Sequence, residues 1–184
     1  MTTLRTARLL LRPWTTTDED VDFLFDMYSR WDVQRFIGRE PRVLADRAEA
    51  VDRAVRWKAV ASGVDGLPGV LAITDARTGR RHGSVLLKEL PASGDTEPLQ
   101  PSGETEVGWH LHPDAWGHGY ASEAATRVLD EAWRAGLVRV LAVTNPGNTA
   151  SQAVARRIGM RDLGLTDRFY NVTCTLFEIE RPAG

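Results

Sequence analysis

The spacing of apolar and polar positions changes several times along the chain, and each change marks an element. Arg8–Pro13 (R-L-L-L-R-P) is a short apolar run stopped by proline and predicts a first strand. Val21, Leu24, Phe25 and Tyr28 then recur at helical spacing, with Thr17 as N-cap and Asp20 in a capping-box position. Leu44, Ala48, Val51, Val55 and Ala59 form a second apolar stripe, with Arg47, Glu49, Arg53 and Arg56 on other faces, and predict a second amphipathic helix. The pattern then shifts to strand-like: Gly69–Asp75 and Gly83–Glu89 read as a hairpin about the turn Arg77–Arg80.

Pro91–Gly103 carries three prolines, two glycines and little that can be buried, so it reads as a flexible loop. No second core follows that would make it a domain linker. Glu104–His112 predicts a strand. Gly119 opens a helix that buries Ala121, Ala124, Ala125, Val128, Leu129, Ala132 and Trp133, with Gly136 at its C-terminal cap. Val138–Thr144 is a strand by its β-branched content, and Asn148 caps a short helix ending at Gly159. Arg168–Arg181 contains the last strand, V-T-C-T-L-F-E-I-E. The order β-α-α-β-β-β-α-β-α-β-β predicts one α/β (α+β) domain over residues 1–184. It would have helices on both faces of a mixed, largely antiparallel sheet of about seven strands.

Composition narrows the function classes. With 42% hydrophobic and 26% charged residues, the chain has ordinary globular composition, and 184 residues can bury a sizeable core. A formal net charge of −2 offers no basic excess for nucleic acid. Cys174 is the only cysteine, which excludes an intrachain disulfide and suits a reducing compartment. No apolar run approaches the roughly 18 residues of a membrane helix, and the N-terminus is unlike a signal peptide. The expectation is a soluble cytoplasmic domain with neither nucleic-acid nor membrane partner.

Candidate chemistry concentrates in Glu106–Ala125, E-V-G-W-H-L-H-P-D-A-W-G-H-G-Y-A-S-E-A-A. A strand ends at Pro113, a turn with Gly117 and Gly119 follows, and a helix begins. Glycines there let backbone approach a ligand, and the unpaired N–H groups of a first helical turn favour an anion. Two glycines alone also describe a plain turn. The segment is not a Walker loop, which ends in G-K-[ST], nor the dinucleotide fingerprint G-x-G-x-x-G, since position 122 is Ser122.

As a whole, W-G-H-G-Y-A-S-E-A resembles the coenzyme A motif of the GNAT N-acetyltransferases, especially the branch with ribosomal-protein acetyltransferases of the RimJ/RimL type. The preceding strand E-V-G-W-H-L-H-P is similar to the family's, and so is N-T-A-S-Q-A-V-A-R-R-I-G-M from Asn148. R-L-L-L-R-P and W-D-V-Q-R-F-I-G from Trp31 also look like this branch; Pro91–Gly103 does not. The resemblance implies transfer of an acetyl group from acetyl-coenzyme A to an amine, either a protein N-terminus or a small molecule, within a ternary complex. It implies a cradle for the pyrophosphate made by Trp116, Gly117, His118, Gly119, Tyr120, Ala121 and Ser122. The pantetheine arm would pair with backbone groups of Trp109, His110 and Leu111, where this strand splays from the one starting near Val138, and would meet Asn148 and Ser151. A longer donor such as succinyl-coenzyme A, a non-catalytic coenzyme A-binding module and a homodimer remain open.

Each candidate also has a plainer reading. Glu106 is the first choice for general base, with Glu104 as its alternative, and either can be a solvated strand-edge carboxylate. Ser151 can protonate the leaving thiolate or cap a helix; Tyr170 is the other acid, or a core or surface tyrosine. Glu123 in a first helical turn reads as structural. His110 and His112 alternate on one strand, but no further His/Cys cluster completes a metal site, so no metal is expected. Cys174 reads as a buried inert thiol, and the tryptophans, by default, as mostly core.

Overall fold

A computed structural model describes residues 3–60 and 66–183. Strands β1 (Leu4–Arg5) and β2 (Leu9–Pro13) lead into helices α1 (Asp18–Tyr28), α2 (Trp31–Gln34) and α3 (Arg47–Val60). Strands β3 (Gly69–Asp75), β4 (Arg81–Pro91) and β5 (Pro101–Leu111) follow. Then come α4 (Tyr120–Arg134), β6 (Arg139–Thr144), α5 (Thr149–Arg157), β7 (Arg161–Thr166) and β8 (Cys174–Glu180). The strands form one sheet in the order β1-β2-β3-β4-β5-β6-β8-β7. It has eight strands, against the seven of the predicted order, because Leu4–Arg5 adds a short edge strand.

Every neighbouring pair is antiparallel except β5 and β6, which run parallel because α4 carries the chain back across the sheet. That pair holds a single register contact, Glu106 opposite Leu141, and the strands part beyond it. The backbone edge of Val107–Leu111 facing β6 is thereby left without a strand partner among the described residues.

Two main cores fill the two faces. Val85, Leu87, Val107, Trp109, Val140 and Ala142 meet α4 and α5 on one face. Of the foreseen stripe, Ala121, Ala124, Ala125, Val128, Leu129 and Ala132 are buried as read while Trp133 is only partly buried, and the many alanines let α4 lie close to the sheet. On the other face Val70, Ala72 and Leu86 meet α1 and α3. A third, smaller cluster of Leu90, Leu141, Phe169 and Leu176 lies where β5 and β6 meet. Leu141 alternates with Val140 and Ala142 and so points away from α4.

Four expectations need correction. The second helix starts at Arg47 and buries Ala50 and Ala54, while Ala48 and Val55 are exposed. Apolar residues on more than one face left its rotation open, and small side chains against β3 decide it. Asp20 does not complete a capping box, and Thr17 makes no side-chain cap bond. Asp20 turns inward instead, where Arg12 on β2 and Arg81 on β4 reach it at 2.6–2.8 Å and Thr15 Oγ1 donates at 2.7 Å. Trp31 and Trp116 are about half exposed rather than core, at 56% and 48%. Lastly, Pro91 and Pro101–Gly103 belong to β4 and β5, and the segment between them is tethered. Ala92 bridges Phe169, Ser93 N donates to Arg168 O at 2.8 Å, and Gly94 exchanges hydrogen bonds with the Asn171 side chain.

Candidate active site

The strand–turn–helix unit foreseen at Glu106–Ala125 forms around the end of β5. A short 3-10 turn, Pro113–Ala115, links β5 to Trp116–Gly119. Gly117 and Gly119 sit at φ of 77° and 79°, in the left-handed region where a side chain is strained. A Cβ on Gly117 would meet no protein atom within 4 Å. Gly119 is the N-cap of α4 and has no side chain to satisfy the first-turn N–H groups. Ser122 Oγ beside them is buried without a partner among the described residues. The Trp116 indole donates to Leu111 O at 2.9 Å, so this tryptophan closes the upper end of the open β5 edge while exposing its ring.

Arg8 was not foreseen here. Its guanidinium donates to His118 O at 3.0 Å and to Glu123 Oε2 at 2.7 Å, and it lies 4.9 Å from the Tyr120 ring centroid. Thr6 and the Arg8 backbone also donate to Glu123. Burial alone would raise the Glu123 pKa; these bonds outweigh it and lower it. The structural reading of Glu123 is thus supported by its partners: it ties β2 to the start of α4.

The reactive-group candidates are partly assembled. Glu106, buried on β5, accepts through Oε1 from Lys88 Nζ at 2.7 Å and from the Tyr170 hydroxyl. Lys88 Nζ also donates to the Tyr170 oxygen at 2.8 Å, closing a triangle. Burial raises the Tyr170 pKa far above its usual value, and the Glu106 charge adds to the rise, so this phenol stays protonated. Tyr170 and Asn171 adopt φ of 59° and 54°, held by the Ser93–Gly94 tether. Lys88 lies directly opposite Glu106 in the β4–β5 register, a pairing that residue types alone do not announce. Glu104 is turned to an ion pair with Arg139. Ser151 N donates to Asn148 Oδ1 at 3.1 Å, confirming the cap. No hydrogen bond joins Ser151 to the triangle among the described residues.

The other singled-out groups have ordinary partners. His112 Nδ1 accepts from Asp114 N at 3.1 Å, which leaves the proton on Nε2, 3.0 Å from Asp26 Oδ2. Cys174 is buried, and burial followed by the Asp167 and Glu106 charges pushes its thiol up to about 11. Among the described residues no three His, Cys, Asp or Glu side chains group as metal ligands, and no helix is long and apolar enough to cross a membrane. A 330 Å³ cavity lined by Phe23, Asp26, Arg81 and His112 lies at the other end of β4 and β5 from Glu106.

His110 pairs its Nδ1 with the Tyr28 hydroxyl at 2.9 Å. Burial, then the charges of Arg53 and Lys88, push its pKa down from 6.5 to about 4. Between those values the unfolded chain takes up a proton that the folded chain refuses. Stability is therefore full above about pH 6.5 and falls as pH drops toward 4. His110→Gln is expected to flatten the melting-temperature slope over that interval. An unchanged slope would show that His110 is not the group responsible.

Residues 8–161 match the family model described as "Acetyltransferase (GNAT) domain". The chain belongs to the GNAT family and is an acyl-coenzyme A-dependent acetyltransferase. It is 27% identical over 170 residues, covering 90% of this chain and 86% of the relative, to the uncharacterized N-acetyltransferase YoaA of Bacillus subtilis. An acetyltransferase structure from Agrobacterium tumefaciens superposes with a TM-score of 0.74 at 26% identity, covering 98% and 95% of the two chains. RimL, a ribosomal L7/L12 α-N-protein acetyltransferase solved in complex with coenzyme A, shares the fold with a TM-score of 0.73 at 14% identity, covering 97% and 98%.

Proposed function

We propose that this chain moves an acetyl group from acetyl-coenzyme A to a primary amine in a ternary complex, with Glu106 as general base. The observation that carries this reading is the Lys88–Glu106–Tyr170 triangle at the point where β5 and β6 part, on the strand that leads into the glycine cradle. The residues fit coenzyme A. Gly117 leaves open space, no side chain caps the first turn of α4, and Ser122 Oγ is a buried hydroxyl with no partner among the described residues, suited to a phosphate oxygen. Ser122 also lines a 380 Å³ cavity with Glu123, Thr126, Asp130 and Arg157. RimL, holding coenzyme A on the same fold, supports the assignment.

When bound, the thioester supplies an activated acyl carbon. Glu106 takes the amine proton; its Oε2 has no protein partner among the described residues and is free for the amine or a bridging water. Tyr170, kept protonated by burial, donates its O–H to Glu106 Oε1 and would have to turn that O–H to the departing sulfur to act as the acid; Ser151 is the second donor considered for that task. Trp109–Leu111 present the unpaired edge to an extended amide chain, which would add like a strand. A longer, carboxylated acyl group would need a basic residue. Lys88 is one, but its charge is matched by Glu106, which favours acetyl.

Ser122→Ala tests the cradle. Ser122 Oγ makes no protein hydrogen bond, so the variant is expected to melt at or above the wild-type temperature. Its affinity for coenzyme A, measured by calorimetry, should fall about tenfold. Wild-type affinity in the folded variant would remove Ser122 from the site. Thiol release with generic amines separates catalysis from mere binding.

A further inference from the structure

We infer that the acceptor amine carries an anionic group, a carboxylate or phosphate set several bonds from the nitrogen, and that Arg53 holds it. The inference rests on the amine-acetylating reading above and deepens it. Arg53 lies on α3, on the sheet face that also bears Glu106 and His110. It is half-buried, with its guanidinium 4.0 Å from the Tyr28 ring centroid and 5.6 Å from that of Trp57. Tyr28 in turn bonds His110 at 2.9 Å. The guanidinium also hydrogen-bonds Tyr28, which uses only part of its five-donor fork. Among the described residues, no carboxylate pairs with it. Glu49, one helical turn earlier, feels the Arg53 charge but is already held by Arg42 at 2.9 Å and by Ala45 N at 3.0 Å.

Burial lowers the Arg53 pKa; Tyr28 opposes that, and the Arg56 and Arg42 charges add to the lowering, so the guanidinium is partly desolvated beside two like charges. An anion arriving there relieves both costs. Arg53 and Lys88 both act on His110, which places this cation within electrostatic reach of the triangle. Along β5, His110 is four residues from Glu106 on the same face, about 13 Å away by strand rise. Gly108 stands between them, and the Leu86 side chain of β4 packs over it, where an added Cβ would meet it at 3.2 Å. An acceptor with its amine at Glu106 and its anion at Arg53 would thus pass over Leu86. An α-amino acid, whose carboxylate adjoins its nitrogen, is too short for both.

The test uses two panels of amines with acetyl-coenzyme A and the full chain, read by thiol release. One panel holds ω-amino acids and aminoalkyl phosphonates of increasing length; the other holds short peptides with Asp at the second or third position. Each compound is paired with its neutral amide or ester. The anionic member is expected to exceed its neutral partner by about 10- to 100-fold in kcat/KM, mainly through KM. The panel that shows the preference identifies the source of the anion. Arg53→Met, which keeps the aliphatic packing on Tyr28, should bring the ratio near one, and Arg53→Lys should keep part of it. Equal rates for anionic and neutral members, or a ratio that survives in Arg53→Met at an unchanged melting temperature, overturns the proposal. If no amine of any charge is acetylated, the transfer reading fails on its own. Calorimetry of the same pairs with coenzyme A present then decides about Arg53, and equal affinities count against it.

Discussion

Replacing Glu106 by glutamine is expected to lower turnover by about 10²- to 10⁴-fold near neutral pH while leaving coenzyme A affinity close to wild type. The side chain keeps its shape and still offers an oxygen to Lys88 and Tyr170, whose bonds to Glu106 Oε1 hold the triangle together. What it loses is the ability to take a proton. Raising the pH supplies amine that is already deprotonated, so the deficit should shrink toward the alkaline limit. The measurement is turnover against pH for both proteins, with melting temperatures beside it, since Lys88 loses an ion-pair partner. Wild-type turnover across the range would move the base elsewhere. Glu104 is then a poor substitute, because Arg139 engages it, and a water chain becomes the leading alternative.

The largest expected loss of stability lies far from that chemistry. Asp20 is completely buried and receives Arg12, Arg81 and Thr15. Asp20→Asn leaves two part-buried guanidinium groups without their anion, which should cost about 3 kcal/mol and lower the melting temperature by about 6–12 °C. Burial alone would raise the Asp20 pKa, but the bonds from Arg12, Arg81 and Thr15 outweigh it and hold the carboxyl far below the usual range. A depressed carboxyl stabilises fully above its unfolded value near 3.9, and that contribution is lost as pH falls toward the folded value. The gap between wild type and Asp20→Asn should thus be widest near pH 7 and narrow under acid. A gap that stays constant to pH 3 would mean that packing, not charge, accounts for it.

How far the sequence carries the reader depends on whether the information is local. The helix at α4 was legible because its buried alanines recur on one stripe, and the turn before it because two glycines stand where a strand turns into a helix. The Asn148 cap needed only three residues of context. Lys88 was not legible: it becomes a partner of Glu106 only once the β4–β5 register is known. Arg8 joins Glu123 across more than a hundred residues, and no local pattern signals that pairing. Asp20 misled because a short-range role was available, whereas two arginines on separate strands compete for the same carboxylate with stronger charge-assisted bonds. The Ser93–Gly94 tether was hidden by composition, since a proline-rich stretch reads the same whether it is free or docked on Phe169 and Asn171.

The single contact between β5 and β6 also has a mechanical meaning. Strands β1–β5 and β6–β8 are two stiff ribbons that meet along their ladder at one place, Glu106 opposite Leu141, with α4 strapped across. Any flexing of one ribbon against the other pivots there. Displacement grows with distance from a pivot, so the tips at Leu111 and Thr144 swing widest, while Glu106 barely travels. A wedge-shaped mouth can in this way yield to a bulky thioester arm without dragging the carboxylate out of line. The proposed base, Glu106, sits where the two ribbons meet.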